Sequence, residues 1–104
     1  MLLYEETYRV KAAKSPEYQE LLKEFKVMLE ELDIPILKDW YILQNKYIPG
    51  DIRNVWILED QSNVEEMWDI CFTHKKWMDL VPKIFETMVD GSYNYSFWAK
   101  AISL

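Results

Sequence analysis

A four-stranded α+β fold, with its elements in the order βαββαβ, is what this sequence predicts. Three observations carry that prediction. Four stretches alternate in side-chain character and are rich in aromatic and β-branched residues, as strands are. Two longer stretches repeat apolar residues every three or four positions, as the buried stripe of a helix does. The connections between them are short, and 104 residues fit a single domain spanning 1–104.

The first strand runs from Leu2 to Val10, with Tyr4, Glu6, Tyr8 and Val10 on one side and Leu3, Glu5, Thr7 and Arg9 on the other. Ser15-Pro16 then opens a helix. Serine is a good N-cap, and proline at the first helical position lacks only an N–H that has no partner there. Tyr18, Leu21, Leu22, Phe25, Met28, Leu29 and Leu32 form its apolar stripe, and Asp33-Ile34-Pro35 ends it. Lys38 to Ile48 reads as a second strand, Pro49-Gly50-Asp51 as a turn, and Arg53 to Glu59 as the returning strand of an antiparallel hairpin.

Ser62 and Glu65 have capping-box spacing at the start of the second helical region. Val64, Met67, Cys71, His74, Met78, Val81, Phe85 and Met88 step through it by threes and fours. Pro82 falls inside this region and predicts a kink or break near Met78–Pro82. Asp90-Gly91 closes it, and Tyr93 to Ser103 alternates as the fourth strand.

Composition excludes several classes of function. A net charge of −6 opposes a sequence-independent grip on nucleic acid, which needs clustered Lys and Arg. Two glycines cannot build a phosphate-cradling loop. No apolar run is long enough for a membrane span or a signal peptide. The lone cysteine, Cys71, cannot pair within the chain, and a reducing cytoplasm is the expected location.

In a sheet of this order both helices pack on one face and leave the other bare. These strands, however, are apolar on both sides. Trp40 and Ile42 oppose Tyr41 and Leu43; Val55 and Ile57 oppose Trp56 and Leu58; Phe97 opposes Trp98. Burying one such side chain contributes on the order of 1.5–3 kcal/mol, and monomers rarely leave so wide an apolar patch in water. A homodimer through the open sheet face is the expected remedy, closing a barrel-like interior. The alternative is cover by tails or helix ends. Which face meets the helices stays open, because both are apolar.

Gly50 to Trp68, GDIRNVWILEDQSNVEEMW, carries a turn glycine, a strand with an aromatic near its end, a short polar link and a helix bearing an aromatic. With the order of elements, this stretch resembles the dimeric α+β barrel superfamily. That superfamily includes NIPSNAP-like proteins, antibiotic-biosynthesis monooxygenases, haem-degrading monooxygenases and stress-responsive barrel proteins. Asn54-Val55-Trp56 is most similar to the NIPSNAP pattern. The resemblance implies a ferredoxin-like subunit, a dimer, and a pocket of the kind that cofactor-free oxygenases use. It also disfavours haem. Haem-degrading relatives pair a first-strand asparagine with a helix tryptophan and a later histidine. Trp68 fits the tryptophan, but the first strand offers Glu6 and Thr7, and His74 follows Trp68 too closely. No cofactor is expected.

The candidate catalytic residues are His74 and Glu6. His74 is the sole histidine and falls on the apolar stripe, where an imidazole could act as a base or simply complete the packing. Glu6 stands between Tyr4 and Tyr8; inside a pocket it could move a proton, and at a rim it would pair with Arg9 or Lys100. Tyr4, Tyr8, Trp56, Trp68 and Trp98, with Phe97, are the candidate lining of an aromatic pocket for a small apolar ligand, or else ordinary core. Cys71 reads as a small core residue, and one His with one Cys makes no closed zinc set. The expected function is small-ligand binding, with cofactor-free monooxygenase or isomerase chemistry on an aromatic or polyketide-like compound. The rival is a non-enzymatic dimerisation or ligand-sensing module.

Overall fold

The computed structural model describes residues 1–101. It contains β1 (Leu2–Arg9), α1 (Ser15–Leu32), β2 (Trp40–Gln44), β3 (Asp51–Leu58), α2 (Gln61–Thr73), α3 (Lys75–Glu86) and β4 (Asn94–Ala99). The fold is α+β. The strands form one antiparallel sheet in the order β2-β3-β1-β4, so β1 is flanked on both sides.

The register resolves which face meets the helices. Trp40, Trp56, Tyr4 and Phe97 are paired across all four strands, and Ile42, Asn54, Glu6 and Tyr95 form the next row. In β3, Ile52, Asn54, Trp56 and Leu58 are buried while Arg53 is exposed, so the even-numbered set of β1 and β3 lies under the helices. α1 buries Tyr18, Leu21, Phe25, Met28 and Leu29 on this face, α2 buries Val64 and Met67, and α3 buries Trp77, Leu80 and Ile84. The face away from the helices carries Leu3, Val55 and Ile57, half-buried, with Tyr41, Leu43 and Trp98 exposed at 52%, 53% and 57%.

Several boundaries differ from the sequence expectation. Ser15 is the first residue of α1 and not its cap, because a 3-10 turn over Ala12–Lys14 feeds directly into the helix. The capping box of α2 lies earlier than Ser62 and Glu65. The Asp60 side chain accepts the Ser62 N–H at 2.9 Å, and Asn63 Oδ1 accepts the N–H groups of Glu59 and Asp60. β2 stops at Gln44 because the next side chain folds back, Asn45 Oδ1 accepting from the N–H groups of Tyr47 and Ile48. β4 ends at Ala99; the part of the predicted strand at 102–103 lies outside the described residues.

The second helical region breaks at His74 and not near Met78–Pro82. His74 has extended backbone angles (φ −82°, ψ 116°), and its Nδ1 accepts the Trp77 N–H at 3.3 Å, which caps α3. Pro82 is accommodated within α3, at the cost of one backbone hydrogen bond. Breaking the helix at His74 lets α2 and α3 each present their own apolar side to the sheet.

Gly50, in the turn before β3, has φ +81°, and a Cβ there would stand 2.7 Å from the Val10 carbonyl oxygen. The close approach is used: the Val10 N–H donates to the Gly50 carbonyl at 2.8 Å.

Candidate functional site

Between the sheet and the helices lies a cavity of about 410 Å³, at the lower end of the range of roughly 300–1,000 Å³ typical of small-molecule sites. Its floor is the helix-facing sheet: Tyr4, Glu6 and Tyr8 from β1, Asn54 and Trp56 from β3, and Trp40 from β2. Leu22 and Phe25 of α1, Met67, Trp68, Cys71 and Phe72 of α2, and Trp77, Val81 and Phe85 of α3 are among its walls. The inner end is a cluster of packed rings. Trp40 stacks on Trp56 at 5.1 Å, Trp56 on Trp77 at 6.3 Å, and Phe25 meets Trp40 and Trp77 edge-on. The outer rim is apolar yet open to water: Phe72 is 78% exposed, and Trp68, Met78 and Phe85 are also exposed.

Among the described residues, Glu6 is the one acid in this lining, and no Lys, Arg or His accompanies it. Its carboxylate is instead solvated by neutral donors. Oε1 accepts from Asn54 Nδ2 at 2.8 Å and more loosely from Trp56 Nε1 at 3.4 Å, and Oε2 accepts the Tyr93 hydroxyl. The Asn54 carbonyl oxygen in turn accepts from the Trp40 indole, so the amide orientation is set from both ends. The Tyr4 hydroxyl approaches that of Tyr93 at 3.5 Å. A carboxylate offers about four acceptor positions. Asn54, Trp56 and Tyr93 engage three of them, and the Tyr4 hydroxyl is also within hydrogen-bonding reach of the carboxylate.

The hydroxyls and thiol around the cavity stay protonated. Burial, with the negative charge of Glu6 second, pushes Tyr4 up to about 12 and the Cys71 thiol up to about 11. The same two causes raise Tyr93 further. Tyr8 is raised by burial and by its neighbour Tyr18, whose hydroxyl lies 2.6 Å away. These groups are hydrogen-bond donors, not nucleophiles, and Cys71 in particular lacks the environment of a reactive thiolate.

Of the residues singled out from the sequence, the structure brings Glu6, Tyr4, Tyr8, Trp56 and Trp68 to one cavity. His74 and Trp98 are not among its lining. His74 is engaged at the helix break and faces a shallow outer hollow with Glu31, Lys75, Lys76 and Asp79. Trp98 pairs with Leu3 on the opposite side of the sheet, its indole N–H donating to Ser96 at 3.0 Å. Glu6 pairs with neither Arg9 nor Lys100; its neighbour Glu5 faces the open side, 3.6 Å from Arg53. Asn54, Tyr93 and Trp40, which hold the polar cluster together, were not anticipated. The available signal was Asn54, an amide in the otherwise apolar series Ile52, Trp56, Leu58.

Comparison with solved structures places this architecture. A NIPSNAP family protein from Agrobacterium tumefaciens superposes with a TM-score of 0.74 at 17% identity, over 94% of this chain and 90% of that one. An uncharacterised NIPSNAP domain protein from Burkholderia xenovorans gives 0.69 at 18%, over 97% and 95%. An antibiotic biosynthesis monooxygenase gives 0.71 at 14%, over 98% and 100%. These proteins share the ferredoxin-like α+β fold of this chain. No family model and no curated protein matches the sequence, and identities this low carry the ferredoxin-like fold without its activities. Among the described residues, no group of His, Cys, Asp and Glu is placed to hold a metal, and no helix is long and apolar enough to cross a membrane.

Proposed function

We propose that the protein binds a small, flat, apolar molecule in the cavity between sheet and helices, and that two copies pair through the open sheet face. The single observation that carries the first part is the cavity itself. It is walled by aromatic and aliphatic side chains, open at an apolar rim, and equipped with one orienting polar cluster at Glu6. Such a site excludes water from most of a ligand while leaving one directed hydrogen bond. Titration with N-phenyl-1-naphthylamine, a neutral apolar fluorophore, tests it. Saturable binding with one site per chain is expected, weakened at least tenfold by Val81→Trp, which would fill the cavity from α3. Unsaturable binding, or no change in the variant, would overturn the reading in favour of a dimerisation module with a packed interior.

The pairing rests on Ile57, Leu3 and Trp98, adjacent across β3, β1 and β4, with Tyr41, Val55 and Leu43 beside them. That surface fits a self-complementary twofold contact. Native mass spectrometry should give twice the chain mass for the protein and the single mass for Trp98→Glu. A single mass for the unaltered protein at high concentration would remove the pairing and leave the cavity reading intact.

A catalytic form of the reading is favoured by the Glu6–Tyr93–Tyr4 array and by the fold shared with an antibiotic biosynthesis monooxygenase. Glu6 would take a proton from an acidic C–H or phenolic O–H of a bound aromatic or polyketide-like compound. An isomerase returns that proton at a second carbon; a cofactor-free monooxygenase presents the resulting anion to dioxygen. Deuterium exchange into a bound test phenylacetone, lost in Glu6→Gln, is the outcome expected; exchange at the uncatalysed rate would rule out the base.

A further inference from the structure

The cavity has a charge preference as well as a shape. Among the described residues, its lining contains one acidic side chain and no basic one. Carboxylates inside proteins are commonly matched by a cation, because an unpaired buried charge is costly. Here only neutral donors, from β3 and from the segment before β4, take up part of that role, and among the described residues of the lining no cation does. The negative field reaches the surrounding groups: after burial, the charge on Glu6 is the next cause raising Tyr4, Cys71 and Tyr93. The same cavity is lined by the ring systems of Tyr4, Trp40, Trp56, Trp68 and Trp77. The chain as a whole carries −6, which raises the local concentration of cations and repels anions before contact.

From this combination we infer that the cavity selects organic cations, and specifically protonated amines carrying an apolar or aromatic body. The ammonium would sit against the Glu6 carboxylate in place of one of its neutral donors, and the body would fill the space toward Met67, Val81 and Phe85. Anionic ligands such as aryl carboxylates are excluded by the same field. The inference rests on the binding reading above and assigns Glu6 the part of counter-ion instead of base.

Three compounds of similar size separate the possibilities at neutral pH and low salt by calorimetric titration: 2-phenylethylammonium, 2-phenylethanol and 3-phenylpropionate. The ammonium is expected to bind at least tenfold more tightly than the alcohol, with the carboxylate weakest. Glu6→Gln should bring the ammonium within about twofold of the alcohol. Glu5→Gln removes the same unit of charge from the opposite face and should preserve the preference. Equal or tighter binding of the alcohol or the carboxylate by the unaltered protein overturns the charge preference, whatever the folding of the Glu6 variant. Loss of the preference in Glu5→Gln as well would assign it to net charge and overturn the role of Glu6. If the naphthylamine fluorophore binds and the ammonium does not, the cation inference fails alone; if neither binds, the cavity reading fails with it.

Discussion

The two faces of the sheet are built from the same strands and resemble each other in composition, yet they are organised differently. Under the helices, Trp56 is 2% exposed and locked between Trp40 and Trp77. On the far side, Trp98 is largely in water, with one hydrogen bond to Ser96. Glu6 inside is held by an amide, an indole and a phenol, whereas Glu5 outside has a loose ion pair with Arg53. Apolar content alone therefore did not decide which face became the core. What differs is the number of partners each side chain finds within its own chain.

The largest expected contrast between the faces comes with alkali. Tyr4, Tyr8, Tyr18 and Tyr93 are all raised from 10.0, and Cys71 from 9.0, burial being the first cause for each. A raised value means the folded state holds its proton longer than the unfolded chain does. The associated stability is fully present below pH 9–10 and is lost as pH rises through about 11 for Cys71 and about 12 for Tyr4. Cooperative unfolding above pH 10 is expected, with most tyrosinate absorbance at 295 nm appearing in the same transition. Full tyrosinate formation while the circular dichroism stays native would contradict the burial of this face.

Trp56→Ala comes next. Truncating a fully buried aromatic costs about 3–5 kcal/mol, against under about 0.5 kcal/mol for Trp98→Ala in a dilute single subunit, as for ordinary surface positions. Urea midpoints of the two variants compare them directly, and similar losses would erase the distinction between core and open face. A smaller contrast separates the two glutamates. Glu6→Leu leaves Asn54 Nδ2 and the Tyr93 hydroxyl without their acceptor and should cost about 1–3 kcal/mol. Glu5→Leu removes only a partly exposed ion pair with Arg53, and its loss should stay below about 1 kcal/mol.

Much of this architecture was legible in the sequence because the alternation of β1 and the apolar stripe of α1 are strong local signals. The clustering of Glu6 with Tyr4 and Tyr8 was also readable, since a period of two places them on one side whatever the fold. The choice of face was not, because β2 and β3 carry large apolar groups on both sides and only the packed helices distinguish them. His74 misled for a different reason. Apolar residues step by threes and fours straight across it, so periodicity alone cannot register that its ψ of 116° ends one helix and starts another. Asn54 and Tyr93 depended on register: Asn54 stands opposite Glu6 through strand pairing, and Tyr93 is 87 residues away along the chain.

Because β1 sits at the middle of the sheet, its neighbouring acids open onto separate compartments. One short peptide thus carries a matched pair of reporters. Carbodiimide coupling followed by fragment mass spectrometry would read the accessibility of the interior at Glu6 and of the open face at Glu5 from the same molecule, each serving as the other's internal standard.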